Sequence, residues 1–269
     1  MPKNSGYALV TGASQGLGKA IALELARHGY GMLLTARSGE ALRATATEAE
    51  KISGKPSHVL EQDLFAPDAA TRIAQWALGL NVELTCLVNN AGQGLWGMFT
   101  ALSAEEQLAM MRLNMDVPVA LTHALLPTLQ KQPRSHLLNI SSMTAYSAMA
   151  TFATYSASKA FVRVWSRSLR IELEKGPVSV TVVCPGSIIT GFTQRARMMA
   201  MDQLARKFGS SPEVVAKSSV KAMLSGKAEV VPGLLNRITA GVQGILPDAL
   251  NERMASGIYL KRLPAGGAE

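Results

Sequence analysis

With 269 residues, 48% of them hydrophobic and 17% charged, the chain is too apolar for a disordered segment and suits one large α/β domain better than two. The formal net charge is +8, and from Gly191 onward 11 Lys and Arg stand against 6 Asp and Glu. No basic stripe is interleaved with aromatics, which argues against a nucleic-acid partner and leaves a surface that favours anions.

Residues 7–11 are a short apolar run that reads as a strand, and 16–28 follow with helical spacing through Leu17, Ile21 and Leu25. A second strand is predicted over 31–35, a polar-faced helix over 39–53, a third strand over 58–62 and a helix over 67–78 with proline at its start. Strands over 84–89, 136–141 and 178–184 come next, with 104–130 long enough for two helices and a further helix over 158–174. Strands alternating with helices imply parallel pairing and right-handed crossovers, hence a single-domain, Rossmann-type doubly wound α/β sheet with helices on both faces. Residues 230–250 are fairly apolar but contain Pro232, Asn236, Arg237, Pro247 and Asp248. They do not read as a spanning helix; a packing helix or dimer surface is favoured over membrane contact. The tail 264–269 is expected to fray. No secretory signal precedes the first strand. Cys86 and Cys184 fall in apolar runs, as buried reduced thiols do in a cytoplasmic protein. His28, His58, His123 and His136 have no ligand spacing, so no metal site is expected.

Gly12, Gly16 and Gly18 lie in Thr11-Gly12-Ala13-Ser14-Gln15-Gly16-Leu17-Gly18, between the first strand and the first helix. Glycine there lets backbone N–H groups approach a pyrophosphate at a helix N-terminus, and Ser14, Gln15 and Leu17 share the turn. The second strand ends Leu34-Thr35-Ala36-Arg37. An acid at that end would bond the ribose hydroxyls of NAD, whereas arginine pairs with a 2′-phosphate, so NADP(H) is expected over NAD(H). Tyr155 and Lys159 are four residues apart, on one face of a helix, and Ser142 precedes Tyr155 by 13. A nearby ammonium lowers the pKa of a phenol, and a serine at a strand end can bond a substrate oxygen, so the set suits proton transfer to a carbonyl during hydride transfer.

Taken in order, the turn at Thr11–Gly18, Asp63 in Gln62-Asp63-Leu64, Asn89-Asn90-Ala91-Gly92, Asn114, Ser142, Tyr155, Lys159, and Pro185-Gly186 followed by Thr190 resemble the short-chain dehydrogenase/reductase family from about residue 6 to 190. The resemblance implies that Tyr155 is the acid/base, Ser142 orients the substrate, Lys159 bonds the nicotinamide ribose, and Asn114 holds a water in a proton relay. It implies cofactor contacts at Asp63, Leu64, Asn90, Ala91, Gly92, Pro185, Gly186, Ile188 and Thr190. Asn114 is followed by Met115-Asp116-Val117, where the family often has glycine at the third position. Residues 191–269 form the variable lid and carboxy-terminal region. Gln93, Gly94, Leu95, Trp96, Met143 and Phe192 are expected to border the substrate, and the Met-rich run 192–201 is a candidate mobile cover. The expected activity is NADP(H)-dependent interconversion of a ketone and a secondary alcohol on an apolar or acyl substrate. The alternatives are reduction of a 3-oxoacyl thioester carried by an acidic acyl carrier, and a regulator that senses NADP(H) without turnover. A homodimer or homotetramer is expected.

Overall fold

The central strands are buried throughout and mostly apolar because both faces of the sheet are covered. In the computed structural model, which describes residues 6–196, 198–199, 207, 209–243 and 246–263, β1 (Tyr7–Thr11) sends Ala8 and Val10 to one hydrophobic layer and Leu9 to the other. β2 (Gly31–Ala36), β4 (Leu84–Asn89) and β5 (Ser135–Ile140) are buried at every residue. β3 (Ser57–Glu61) forms one edge, and β6 (Val178–Val183) carries the two-residue β7 (Glu229–Val230) at the other. All the pairs are parallel, in the order β3-β2-β1-β4-β5-β6-β7. Val10 lies in register with Leu34 on one side and Val88 on the other. The strand order reverses between β1 and β4, which opens a crevice at their carboxyl ends.

Helices α1 (Gly16–Arg27), α2 (Gly39–Ser53) and, later in the chain, α8 (Pro212–Leu224) cover one face. Ile21, Leu25, Leu42, Val215 and Val220 pack there against Val10, Met32 and Val88. On the other face α3 (Ala69–Gly79) and α5 (Val117–Gln130) bring Ile73, Leu121 and Leu125 onto Leu9, Leu33 and Leu87, beside α6 (Ala153–Glu172). α4 (Ala104–Met111) starts as a capping box, the Ser103 side chain accepting from Glu106 N at 3.4 Å. Both cysteines are buried and free.

Several boundaries differ from the sequence reading. The stretch 104–130 does hold two helices, with no loop between them. α4 runs into α5 through a π-turn, Arg112–Asp116, in which Val117 N bonds the Arg112 carbonyl. α6 begins at Ala153, five residues before its predicted start, because no side chain caps it and no start signal stands in the sequence. Pro67 lies outside α3, whose first helical residue is Ala69. β7 is too short to show a period.

Candidate active site

The nucleotide turn is built by backbone constraint. Gly12 and Gly16 have φ of +67° and +57°, in the left-handed region. At Gly18 a Cβ would lie 2.2 Å from the Gly12 carbonyl oxygen, so only glycine lets α1 close on the turn. α1 has no side-chain cap and no acid in its first turn, and its leading N–H groups suit an anion. Ser14 is half-buried and Gln15 exposed at this end. The side chain of Leu17 packs in the core, leaving only its main chain to the turn. The turn is tied to β4: Thr11 Oγ1 accepts from Asn90 N and Ala91 N, both at 3.0 Å, and Asn90 Nδ2 donates to the Thr11 carbonyl at 2.9 Å. Thr190 closes the opposite side, its methyl 3.2 Å from where a Gly16 Cβ would stand. These cradles fit a dinucleotide pyrophosphate.

At the end of β2, Arg37 is exposed and its guanidinium lies 5.8 Å from the Phe65 ring centroid. Asp63 Oδ1 accepts from Phe65 N at 3.1 Å, and the side chain of Leu64 is in the core. One acid escaped the sequence reading. Glu61 stands in register with Ala36, and its carboxylate packs over Gly39 at the start of α2, a position that complements the helix N-terminus. Pro185 is buried beside Gly186, and Ile188 bridges Ser210 in parallel.

Ser142 follows β5, and Tyr155 and Lys159 stand one turn apart near the start of α6. The Ser142 hydroxyl stands beside the Tyr155 phenol, where it lowers the phenol pKa, and accepts from Thr144 N at 3.1 Å. Lys159 Nζ lies 5.9 Å from the Tyr155 ring centroid and donates to the Ile140 carbonyl at 3.1 Å. A Cβ on exposed Gly92 would stand 3.2 Å from that ammonium and 3.0 Å from Asn114 Oδ1, so glycine keeps this floor open. Asn114 Nδ2 donates to the Gln93 carbonyl at 2.9 Å and to Ser158 Oγ at 3.0 Å, and Oδ1 accepts from Gln93 N at 3.0 Å. One amide proton is therefore committed to the loop after β4 and the other to Ser158 on α6, so Asn114 clamps that loop to α6. A relay water is left with Oδ1 or the main chain.

The sequence suggested that Lys159 draws the phenol pKa down. In the chain alone burial leads: it pushes Tyr155 up to about 12, with the Ser142 hydroxyl pulling the other way. Burial likewise brings Lys159 down to about 8. Between about pH 8 and the ordinary lysine value near 10.4, the unfolded chain holds a proton that the folded chain has released, so this group makes stability rise with pH. Lys159→Met is expected to be more stable than wild type at pH 7 in urea melts without cofactor. That advantage should shrink by pH 9.5, and a constant offset would refute the assignment.

The pocket beside Tyr155 is lined mainly by apolar side chains, Leu95, Phe99, Leu102, Met110 and Phe152, with Gln107, Thr151 and Thr154 as its polar members. Phe192, on α7 (Phe192–Arg195), sits with its ring centroid 5.8 Å from that of Tyr155, and its Cζ 2.6 Å from the Cβ position of Gly94. Met143 is half-buried next to Ser142. Trp96 braces the wall from behind: it is fully buried, and Nε1 donates to Thr151 Oγ1 at 2.9 Å. Thr151 has φ +69°, strained for a β-branched residue, and also accepts from Gly97 N at 3.0 Å. Of the run 192–201, Met198 packs into this cluster and Met199 is 55% exposed; positions 197, 200 and 201 lie outside the described residues.

Two further anchors were not legible in the sequence. Tyr259, on α10 (Asp248–Leu260), meets Phe152 edge-on at 5.2 Å. Glu229 on β7 accepts from the Tyr146 hydroxyl, from Arg163 Nε at 3.1 Å and from Arg167 Nη1 at 3.0 Å. Burial would raise this carboxyl, but the bonds from Tyr146 and Arg163 and the adjacent guanidinium charges outweigh it and hold its pKa below the usual range. The cluster fixes the turn Met143–Tyr146 that follows Ser142. Among the described residues no group of three or more His, Cys, Asp or Glu could hold a metal ion.

Residues 6–200 match the family model described as short chain dehydrogenase. The 17-beta-hydroxysteroid dehydrogenase type 3 of Rattus norvegicus is 31% identical over 247 residues, 91% of this chain and 77% of its own length. The ketoacyl reductase HetN of Nostoc is 33% identical, over 83% of this chain and 77% of its own. The solved structure of a short-chain dehydrogenase from Sphingobium yanoikuyae in complex with NADPH superposes with a TM-score of 0.78 at 25% identity, covering 90% of this chain and 97% of that one.

Proposed function

The chain belongs to the short-chain dehydrogenase family, and on that footing we propose that it is an NADP(H)-dependent oxidoreductase interconverting a ketone and a secondary alcohol on an apolar substrate. The observation that carries this reading is the Tyr155 phenol beside Ser142 and one turn from Lys159, between the glycine cradle and a mainly apolar pocket. When bound, the nicotinamide supplies or accepts a hydride. Tyr155, kept neutral by burial, is the proton donor to the carbonyl oxygen, and Ser142 bonds that oxygen and positions it. Lys159 is cationic near neutrality, and its charge favours the phenolate needed in the reverse direction. Leu95, Phe152 and Phe192 keep water from the reacting carbon.

The cofactor preference rests on Arg37 and on the absence of an acid at Ala36. A charged contact to the 2′-phosphate contributes about 1.5–3 kcal/mol. Arg37→Ala should therefore weaken NADPH by roughly 10- to 150-fold and leave NADH nearly unchanged. Titrating the nicotinamide fluorescence of both variants checks this, and equal losses for the two cofactors would remove Arg37 from the role.

A 3-oxoacyl thioester is the second substrate class, favoured by the apolar pocket and by the 11 Lys and Arg against 6 Asp and Glu from Gly191 onward. Following NADPH oxidation with a panel of lipophilic ketones and acyl thioesters separates the two. Tight NADPH binding with no turnover on any member would favour a cofactor-sensing role instead.

A further inference from the structure

α9 (Leu234–Gln243) turns its polar side inward. Asn236, Ala240 and Gln243 are its half-buried positions. The Asn236 amide packs on Gly186, 2.7 Å from the Cβ position, and donates to the Pro232 carbonyl at 2.8 Å. The Gln243 carbonyl accepts from Asn251 Nδ2 at 3.4 Å. On the opposite side Leu234, Leu235, Ile238 and Val242 fall within an arc of about 100° and are 68%, 72%, 55% and 45% exposed. A helix that faces water keeps its polar side out and its apolar stripe on the core. Here the order is reversed. α10 continues the surface: Asn251, Ala255 and Tyr259 turn in, while Leu250, Met254 and Leu260 stay exposed.

We propose that α9, with the outer side of α10, docks the protein on an anionic lipid surface, lying in the interface without crossing it. The apolar stripe is flanked by exposed Arg237, and on α10 and just after it exposed Arg253, Lys261 and Arg262 outnumber exposed Asp248 and Glu252. An excess of cations beside an apolar face complements anionic headgroups. Among the described residues no helix is long and apolar enough to cross a membrane. α9 also leans on Met143–Tyr146, beside Ser142. Docking would therefore bring the carboxyl edge of the sheet, where the pocket opens, close to the lipid. The proposal goes beyond the reaction above and stands without it.

The test is co-sedimentation of the full chain with vesicles of phosphatidylcholine alone and of phosphatidylcholine mixed with phosphatidylglycerol. Wild type is expected to pellet with the anionic vesicles, to be released by raised salt, and to stay in solution with the neutral ones. The double variant Leu235→Glu, Ile238→Glu should bind anionic vesicles at least about tenfold more weakly, with unchanged melting temperature and NADPH titration. Arg237→Glu with Arg253→Glu should reduce vesicle binding in the same way. Wild type that ignores anionic vesicles overturns the proposal. So does a lipid-free dimer that the Leu235, Ile238 variant converts to monomer, which would make the stripe a contact between copies. A melting temperature lowered by several degrees in that variant without lipid also overturns it, because the stripe would then be covered by the chain's own residues.

Discussion

Replacing Tyr155 with phenylalanine is expected to lower turnover at least about a hundredfold, the lower range for loss of a general acid, while NADPH binding stays near the wild-type value. The ring sits among Phe152 and Phe192, at centroid distances of 5.6 and 5.8 Å, and those contacts survive the substitution. Only the hydroxyl goes, and with it the contact with Ser142 and the proton for the substrate oxygen. Steady-state assays on whichever ketone or thioester proves active, beside a fluorescence titration of NADPH, separate chemistry from binding. Near-normal turnover in the variant would remove Tyr155 from the acid role. A parallel collapse of NADPH affinity would show instead that the phenol holds the fold of the site.

The other large effect is expected at Gly18. Its missing Cβ would fall 2.2 Å from the Gly12 carbonyl oxygen and 2.4 Å from Asn90 Nδ2, both held in the junction between β1 and β4. Gly18→Ala forces α1 away from the turn, at about 1–3 kcal/mol of stability. It also retracts the N–H groups that would hold the pyrophosphate, so NADPH should bind about tenfold or more weakly. Gly79→Ala is the control: nothing lies within 4 Å of its Cβ position, and a neutral or slightly stabilising change is expected there. Urea melts and NADPH titrations of both variants give the comparison. Wild-type cofactor affinity in Gly18→Ala would mean that the turn does not touch the pyrophosphate.

The doubly wound parallel sheet was legible because its cause is local. Strands buried on both faces read as short apolar runs, such as 84–89 and 178–184, separated by helical spacing. The glycine turn and the Tyr155–Lys159 pair were legible because their spacing is itself the chemical requirement. What stayed hidden depends on residues far apart in the chain. Nothing around Glu229 marks it as the partner of Tyr146, 83 positions away. Trp96 read as a pocket residue from its place after β4, and only tertiary packing turns it onto Thr151. The start of α6 was missed because Phe152 offers no capping side chain, and the reversed polarity of α9 shows only once it is known which side meets the protein. Burial also decided the Tyr155 and Lys159 pKa values, and burial cannot be read from a four-residue spacing.

The anchoring of Tyr146 by Glu229 has a consequence for how the protein comes into being. The stretch 6–200 that matches the family model contains the nucleotide turn, Ser142, Tyr155 and Lys159, yet the carboxylate that pins the turn after Ser142 comes 29 residues beyond it. A chain emerging from the ribosome thus carries its nucleotide turn before α8, which packs on α1, and before Glu229. The turn after Ser142 is secured when β7 pairs with β6 and Glu229 reaches Tyr146, Arg163 and Arg167. A product interrupted near residue 200 would keep Ser142, Tyr155 and Lys159 and lack both α8 and the Glu229 clasp.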